Sequence, residues 1–135
     1  MRTDRLSPWT GEFPVLPWSE VARWIQEMTG GDSRARHLTA IVDSVMRSGR
    51  AEELAATMAM LDIIVTTHPV AKTAIEEVVV RAPGSLVPVA DGTVVIECLS
   101  ATHPNQYTAP VDDAVPLFWQ AVETVFGIAP HGPSE

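Results

Sequence analysis

Apolar positions in the first part of the chain recur with the spacing of amphipathic helices. An apolar stripe at i, i+3, i+4 and i+7 predicts a helix over residues 19–28, whose core-facing members are Val21, Trp24, Ile25 and Met28. A second stripe predicts a helix over residues 32–48. Residues 51–66 are apolar nearly all round, which predicts a central buried helix. A further apolar stripe predicts a fourth helix over residues 70–81, with Pro69 before its first turn.

The end of the fourth predicted helix is also compatible with a strand. Val78, Val79 and Val80 are three consecutive β-branched residues, and such residues are enriched in strands. The pattern leaves both assignments open for this segment.

The remaining pattern predicts a β-hairpin and a last helix. Asp91-Gly92, a pair favoured in two-residue hairpin turns, separates residues 86–90 from residues 93–99. In the second of these strands, alternate residues share one face (Val94, Ile96 and Cys98). A stripe from Asp113 to Phe126 predicts a C-terminal helix. The predicted fold class is therefore helix-rich α+β, with four N-terminal helices, a β-hairpin at about 86–99 and a C-terminal helix.

A length of 135 residues suits one domain. Residues 1–18 are predicted to form an extended arm, because they contain three prolines. The arm is expected to pack on the domain, because it carries large apolar side chains that include Trp9 and Phe13. Residues 19–128 are then the single domain, and residues 129–135 are a flexible tail.

Charge and cysteine content exclude several classes of protein. The net charge is −8, and the first fifty residues are nearly balanced, with seven arginines and six acidic residues. Beyond them Lys72 and Arg81 stand against eleven acidic residues, which disfavours nucleic acid and anionic membranes as partners. Cys98 is the only cysteine, so the chain has no internal disulfide. No apolar stretch has the length of a membrane span, and we expect a cytoplasmic location.

Candidate catalytic groups are few. The polar segment 100–112 is predicted to be a loop. Cys98, His103 and Tyr107 lie in or beside it, where a thiol–imidazole pair and a phenol could form a site. Cys98, however, alternates with apolar residues, which favours a place in the core. The histidines lack the spacing of a metal site, and no phosphate-binding or dinucleotide motif is present. We therefore expect no cofactor and no metal, and the balance is against an enzyme.

The acidic half and the aromatic residues favour a small acidic protein–protein interaction module that binds a basic partner. The chain resembles bacterial immunity proteins in size, charge and helical α+β build, although no motif supports the likeness. A regulatory subunit or an assembly factor would fit as well. The candidate binding residues are the aromatic anchors and the acids of the third and fourth predicted helices (Trp9, Phe13, Trp119, Glu52, Glu53, Asp62, Glu76 and Glu77).

Two further interpretations remain open. A homodimer is compatible with the sequence, through the second strand of the hairpin or through Trp119, because a lone hairpin leaves an open edge. The alternative function is a small-molecule enzyme or ligand-binding protein with a site between the hairpin and the segment 100–112.

Overall fold

The computed structural model describes residues 14–30, 35–68, 70, 76–82, 89–102 and 104–130. In these ranges the chain forms two helices, then five strands and then a last helix. The helices are α1 (Trp18–Thr29), α2 (Arg36–Arg47) and α3 (Ala114–Phe126). The strands are β1 (Leu54–Ala59), β2 (Asp62–Thr67), β3 (Glu77–Arg81), β4 (Thr93–Leu99) and β5 (Asn105–Pro110).

The strands form an antiparallel meander in the order β1-β2-β3-β4-β5, and the helices cover one of its faces. Helix α1 packs on β1, α3 packs on β3, β4 and β5, and α2 packs against both other helices. One apolar core fills the space between the two layers, with Ile25, Leu38 and Phe118 among its largest fully buried side chains. The domain therefore has the two-layer construction of an α+β fold.

The predicted third helix is wrong. Residues 51–66 form a short 3₁₀ turn, Ala51–Glu53, followed by the hairpin of β1 and β2. Both faces of this hairpin are buried, so its residues lack the apolar–polar alternation that marks a half-exposed strand. Its turn, Met60-Leu61, contains no glycine, proline or asparagine that would have marked a break in the chain.

The fourth predicted helix is also wrong, and the strand that the sequence left open at 78–80 is confirmed. Val78 and Val80 face the helices, whereas Val79 is buried on the opposite face of the sheet, which we call the outer face. Residues 71–75 of this prediction lie outside the described residues.

The predicted hairpin at about 86–99 is correct only in its second strand. That strand is β4, and its alternate residues do share the face toward the helices (Val94, Ile96 and Cys98). Its two neighbours in the sheet are β3 and β5, and residues 86–88 of the predicted first strand lie outside the described residues. Strand β5 lies within the segment 100–112 that the pattern assigned to a loop. In the part of the chain that the structure describes, three α-helices and a five-stranded sheet thus replace the predicted four N-terminal helices, hairpin and C-terminal helix.

The helices that the stripes predicted at 19–28, at 32–48 and from Asp113 are confirmed, with shifted starts. Helix α1 begins after Pro17, and α2 begins at Arg36. Of the predicted arm, residues 1–13 lie outside the described residues, whereas Leu16 donates its backbone N–H to Ala56 O at 2.8 Å. No helix within the described ranges is both long and apolar enough to cross a membrane.

Candidate functional site

Two tryptophans of α1 fasten this helix to the edge strand β1. Trp18 Nε1 donates to Leu54 O at 3.1 Å, where the strand begins, and Trp24 Nε1 donates to Met60 O at 3.1 Å, just beyond its end. The ring of Trp18 is buried in the core, whereas that of Trp24 remains 44% exposed. Trp24 therefore has its polar group satisfied and nearly half of its surface available for contact.

Met60 occupies an unusual position in the turn between β1 and β2. The turn has two residues, because Ala59 pairs with Asp62, and φ of Met60 is +57°. In the described part of the chain no other residue except glycine has a positive φ. A left-handed conformation costs a non-glycine residue about 1–2 kcal/mol, and glycine is the usual residue where a hairpin turn needs it. The side chain held there is 76% exposed.

Met28 lies one helical turn beyond Trp24 on the same side of α1, and it is 54% exposed. We define Trp24, Met28 and Met60 as the Trp24–Met60 surface. Tryptophan and methionine are enriched at protein interfaces because they offer large or adaptable apolar contact areas. Of the neighbouring charges on α1, Arg23 is paired with Glu20, whereas Glu27 is exposed with no ion pair in the described residues. The uncompensated charge beside this surface is therefore negative.

An ionic cluster lies on the outer face of the sheet, away from the helices. Arg81 Nη1 bonds to Asp62 Oδ2 at 2.9 Å, and Arg81 Nε bonds to Glu97 Oε1 at 2.8 Å. The other carboxylate oxygens accept from Ala82 N at 2.8 Å and from Gln106 Nε2 at 2.7 Å. Because every carboxylate oxygen has a partner, this cluster links four strands and leaves no free acid or base.

The pKa of Arg81 reflects this environment. Burial acts to lower the pKa of the guanidinium, but the hydrogen bonds and charges of Asp62 and Glu97 outweigh burial and hold the pKa above its usual value. Arg81 therefore stays charged, as a structural counter-ion to two carboxylates.

The predicted acidic residues do not form one helical face. Glu52 is exposed and Glu53 pairs with Arg50 at 2.8 Å, both in the 3₁₀ turn before β1. Glu76, which accepts a hydrogen bond from Ser100 Oγ at 2.7 Å, lies at the same end of the sheet.

The two other predicted acids are buried in the sheet. Glu77 is fully buried in β3, and Asp62 is buried in the ionic cluster at the opposite end. The acidic residues between positions 52 and 77 therefore do not all lie on the surface, because two of them are buried in the sheet.

Most of the predicted aromatic anchors and catalytic candidates are buried or lie outside the described residues. Trp119 is buried, donates to Ser44 Oγ at 3.0 Å and packs edge-to-face on Phe118. Cys98 is 2% exposed in the core, and burial raises the pKa of its thiol, which disfavours the nucleophilic thiolate. Tyr107 is half-buried on the same face. Trp9, Phe13 and His103 lie outside the described residues, and the residues that are described hold no acid, histidine or cysteine cluster fit for a metal ion.

The pattern of apolar residues did not reveal the Trp24–Met60 surface, for two reasons. It assigned Trp24 and Met28 to the core stripe of the first helix, but α1 buries only a narrower stripe (Trp18, Val21 and Ile25). The spacing gave no sign of this exposure, because a stripe at i, i+3, i+4 and i+7 ordinarily faces the core. The exposure of Met60 was also hidden, because it depends on a turn that the pattern did not reveal.

The fold and this surface define a two-layer α+β domain, with a five-stranded antiparallel meander and an exposed tryptophan–methionine surface at one edge. Comparison with protein-family models, curated proteins and solved structures found no match to the chain.

His37 is a buried titratable residue on α2, and it predicts a loss of stability at mildly acidic pH. It is 6% exposed, its Nε2 has no hydrogen-bond partner within the described ranges, and burial lowers its pKa. The unfolded chain takes up a proton near pH 6.5, about the usual histidine pKa, whereas the folded protein resists protonation down to its lower pKa. The free energy of unfolding is therefore highest above about pH 6.5, where His37 is neutral in both states. It falls as the pH drops from about 6.5 toward the lower pKa of the folded protein.

We expect the free energy of unfolding to decline as the pH falls from about 7.5 to about 5.5, and His37→Leu to remove much of that decline. Urea denaturation at several pH values measures this effect. His68→Leu, at an exposed histidine, is the control and should retain the decline. A His37→Leu variant with an unchanged pH dependence would contradict the assignment.

Proposed function

We propose that this protein is a small acidic interaction module that binds a basic partner protein through the Trp24–Met60 surface. The observation that carries the proposal is Met60, a large apolar side chain exposed on a left-handed turn that the Trp24 indole holds by a hydrogen bond. Glycine would relieve the backbone and a polar residue would suit the solvent, so stability does not account for methionine here. Contact with a partner does account for it.

Charge supports a basic partner. The chain carries −8, and among the described arginines three are engaged with acidic residues (Arg23, Arg50 and Arg81). Such a field steers a cationic protein toward the surface, and Glu27 lies beside the apolar contact. An immunity protein, a regulator or an assembly factor would use a surface of this kind, with apolar burial supplying affinity and charge supplying the rate of encounter.

Met60→Gly separates function from stability in one substitution. It should raise the free energy of unfolding by about 1 kcal/mol, because glycine tolerates the positive φ, and weaken partner binding at least about tenfold. Met46→Ala is the matched control, because Met46 is 41% exposed on α2, outside the surface. The wild type, Met60→Gly and Met46→Ala are each used to capture the basic partner from the source-cell extract. The purified partner is then titrated against each of the three proteins by calorimetry. Equal binding by Met60→Gly and the wild type would contradict the proposal.

Glu27→Lys tests the charge argument separately. We expect it to slow association several-fold at low salt without altering the fold, and the difference should vanish at high salt. An association rate that is insensitive both to this change and to salt would exclude a basic partner at this surface.

A further inference from the structure

Strand β5 forms an edge of the sheet, and it differs from the edge strand on the other side. The outer edge of β1 receives a backbone hydrogen bond from Leu16, whereas within the described ranges no strand lies beside the outer edge of β5. Asn105, Gln106 and Thr108 are exposed on it. An edge strand of this kind presents unpaired backbone groups that can pair with another chain.

The register of β4 and β5 shows which backbone groups face outward. Val111 N donates to Gly92 O at 3.0 Å, which continues the ladder one residue beyond the pair Thr93–Pro110. Because bonded and non-bonded pairs alternate in an antiparallel ladder, Tyr107 bonds to β4, while Gln106 and Thr108 direct their N–H and C=O groups outward. These outward groups lie symmetrically on the two sides of Tyr107.

We propose that two copies of this chain pair antiparallel through β5, with Tyr107 on the twofold axis, to form one continuous ten-stranded sheet. Gln106 N–H of each copy donates to the carbonyl of Thr108 in the other copy, and Thr108 N–H donates to the carbonyl of Gln106. This register uses every outward group of both residues and needs nothing from Pro110, which lacks an N–H. It also sets the two Tyr107 rings across from each other, a favourable cross-strand pair.

Charge favours this antiparallel arrangement of two copies. The bond between Val111 and Gly92 brings the exposed Asp91 to the same end of β5 as Asp112 and Asp113. Antiparallel pairing sets this end, with its three exposed aspartates, against the Asn105 end of the other copy. Described residues 99–102 and 104–105 carry no charge there, and the carboxylate of Glu76 is hydrogen-bonded to Ser100. The two acidic ends are then about 30 Å apart along the strands, well beyond a Debye length of about 8 Å. Parallel pairing would place them side by side.

Asn105 competes with this pairing. Its Oδ1 accepts the outward N–H of Gln106 at 2.8 Å, so this side chain must move aside when the second copy binds. Asn105→Ala removes the competitor and should tighten the dimer several-fold, whereas an unrelated interface would not respond in this direction.

Proline at position 108 tests the edge directly, because the N–H that it removes points away from β4. Thr108→Ala is the matched control and keeps that N–H. Sedimentation velocity over roughly 5–200 µM should show dimers for the wild type and Thr108→Ala, and an at least tenfold weaker dimer for Thr108→Pro. A wild type that stays monomeric throughout, or a Thr108→Pro dimer as tight as that of Thr108→Ala, would overturn the proposal.

Single cysteines fix the register and do not depend on how well the proline variant folds. In a Cys98→Ala background, Tyr107→Cys should form an intermolecular disulfide with diamide as oxidant, because residues paired on the axis have Cα atoms about 4.5 Å apart. Thr108→Cys should not form this disulfide, since the Cα atoms of residue 108 in the two chains are about 8 Å apart in this register. Cross-linking of Thr108→Cys in preference to Tyr107→Cys would overturn this register. Met60→Gly should leave the dimer unchanged, which separates this inference from the proposed function.

Discussion

Replacement of Arg81 by methionine is expected to lower the free energy of unfolding by roughly 3–5 kcal/mol. Arg81 is the only cation that the described residues place against Asp62 and Glu97, and all three side chains are largely removed from solvent. Without Arg81, the described residues supply no cation to these two carboxylates, which face each other across β3. The side-chain links that Arg81 makes among β2, β3 and β4 are also lost. Removal of one partner from a buried ionic cluster leaves a buried charge unpaired. This destabilises a protein far more than replacement of the whole cluster by apolar residues does.

Urea denaturation of two further variants shows whether the unpaired charge causes this loss. Arg50→Met breaks the more exposed pair with Glu53 and should cost less than about 1 kcal/mol. The triple variant Asp62→Asn, Arg81→Met, Glu97→Gln removes all three charges and should recover much of the stability that Arg81→Met loses. If Arg81→Met cost no more than Arg50→Met, the cluster would have no structural role.

Phe118→Ala should destabilise the protein by roughly 3–5 kcal/mol. Phe118 is fully buried where α3 covers the sheet, and its ring packs edge-to-face on Trp119 with centroids 5.4 Å apart. Truncation removes apolar contact and leaves a cavity that the rigid sheet cannot close.

Leu117→Ala is the control for this change, since Leu117 is the preceding residue of α3 and only half-buried. Thermal and urea unfolding should show a loss no more than half as large for Leu117→Ala. Equal losses in the two variants would mean that α3 is not anchored on the sheet by Phe118.

The contrast between confirmed and failed predictions follows from how many faces of an element are buried. Helices α1, α2 and α3 each bury one stripe, so their period is visible in the order of residues. In β2 and β3 apolar residues occupy both faces, since Ile63 and Val80 meet the helices while Ile64 and Val79 are buried on the outer face. A continuous apolar run is shared by buried helices and buried strands, so the period could not separate them.

The candidate site shows the same division. The spacing of apolar residues predicted that Trp24 belongs to a helix and that Cys98 shares one face of a strand with Val94 and Ile96. Both predictions depend only on local periodicity. The exposure of Met60 and the ionic cluster of Asp62, Arg81 and Glu97 depend on strand register, which joins residues far apart in the chain.

By itself, the sequence determined the acidic charge, the absence of an internal disulfide, the three helices and the inward face of β4. Tertiary structure alone decided that residues 54–67 are a hairpin, that β5 is an edge strand among the described residues and that Trp24 reaches Met60. The physical reason is that helical hydrogen bonds join residues four apart, whereas every hydrogen bond of a sheet needs a partner strand. Only the complete fold supplies that partner.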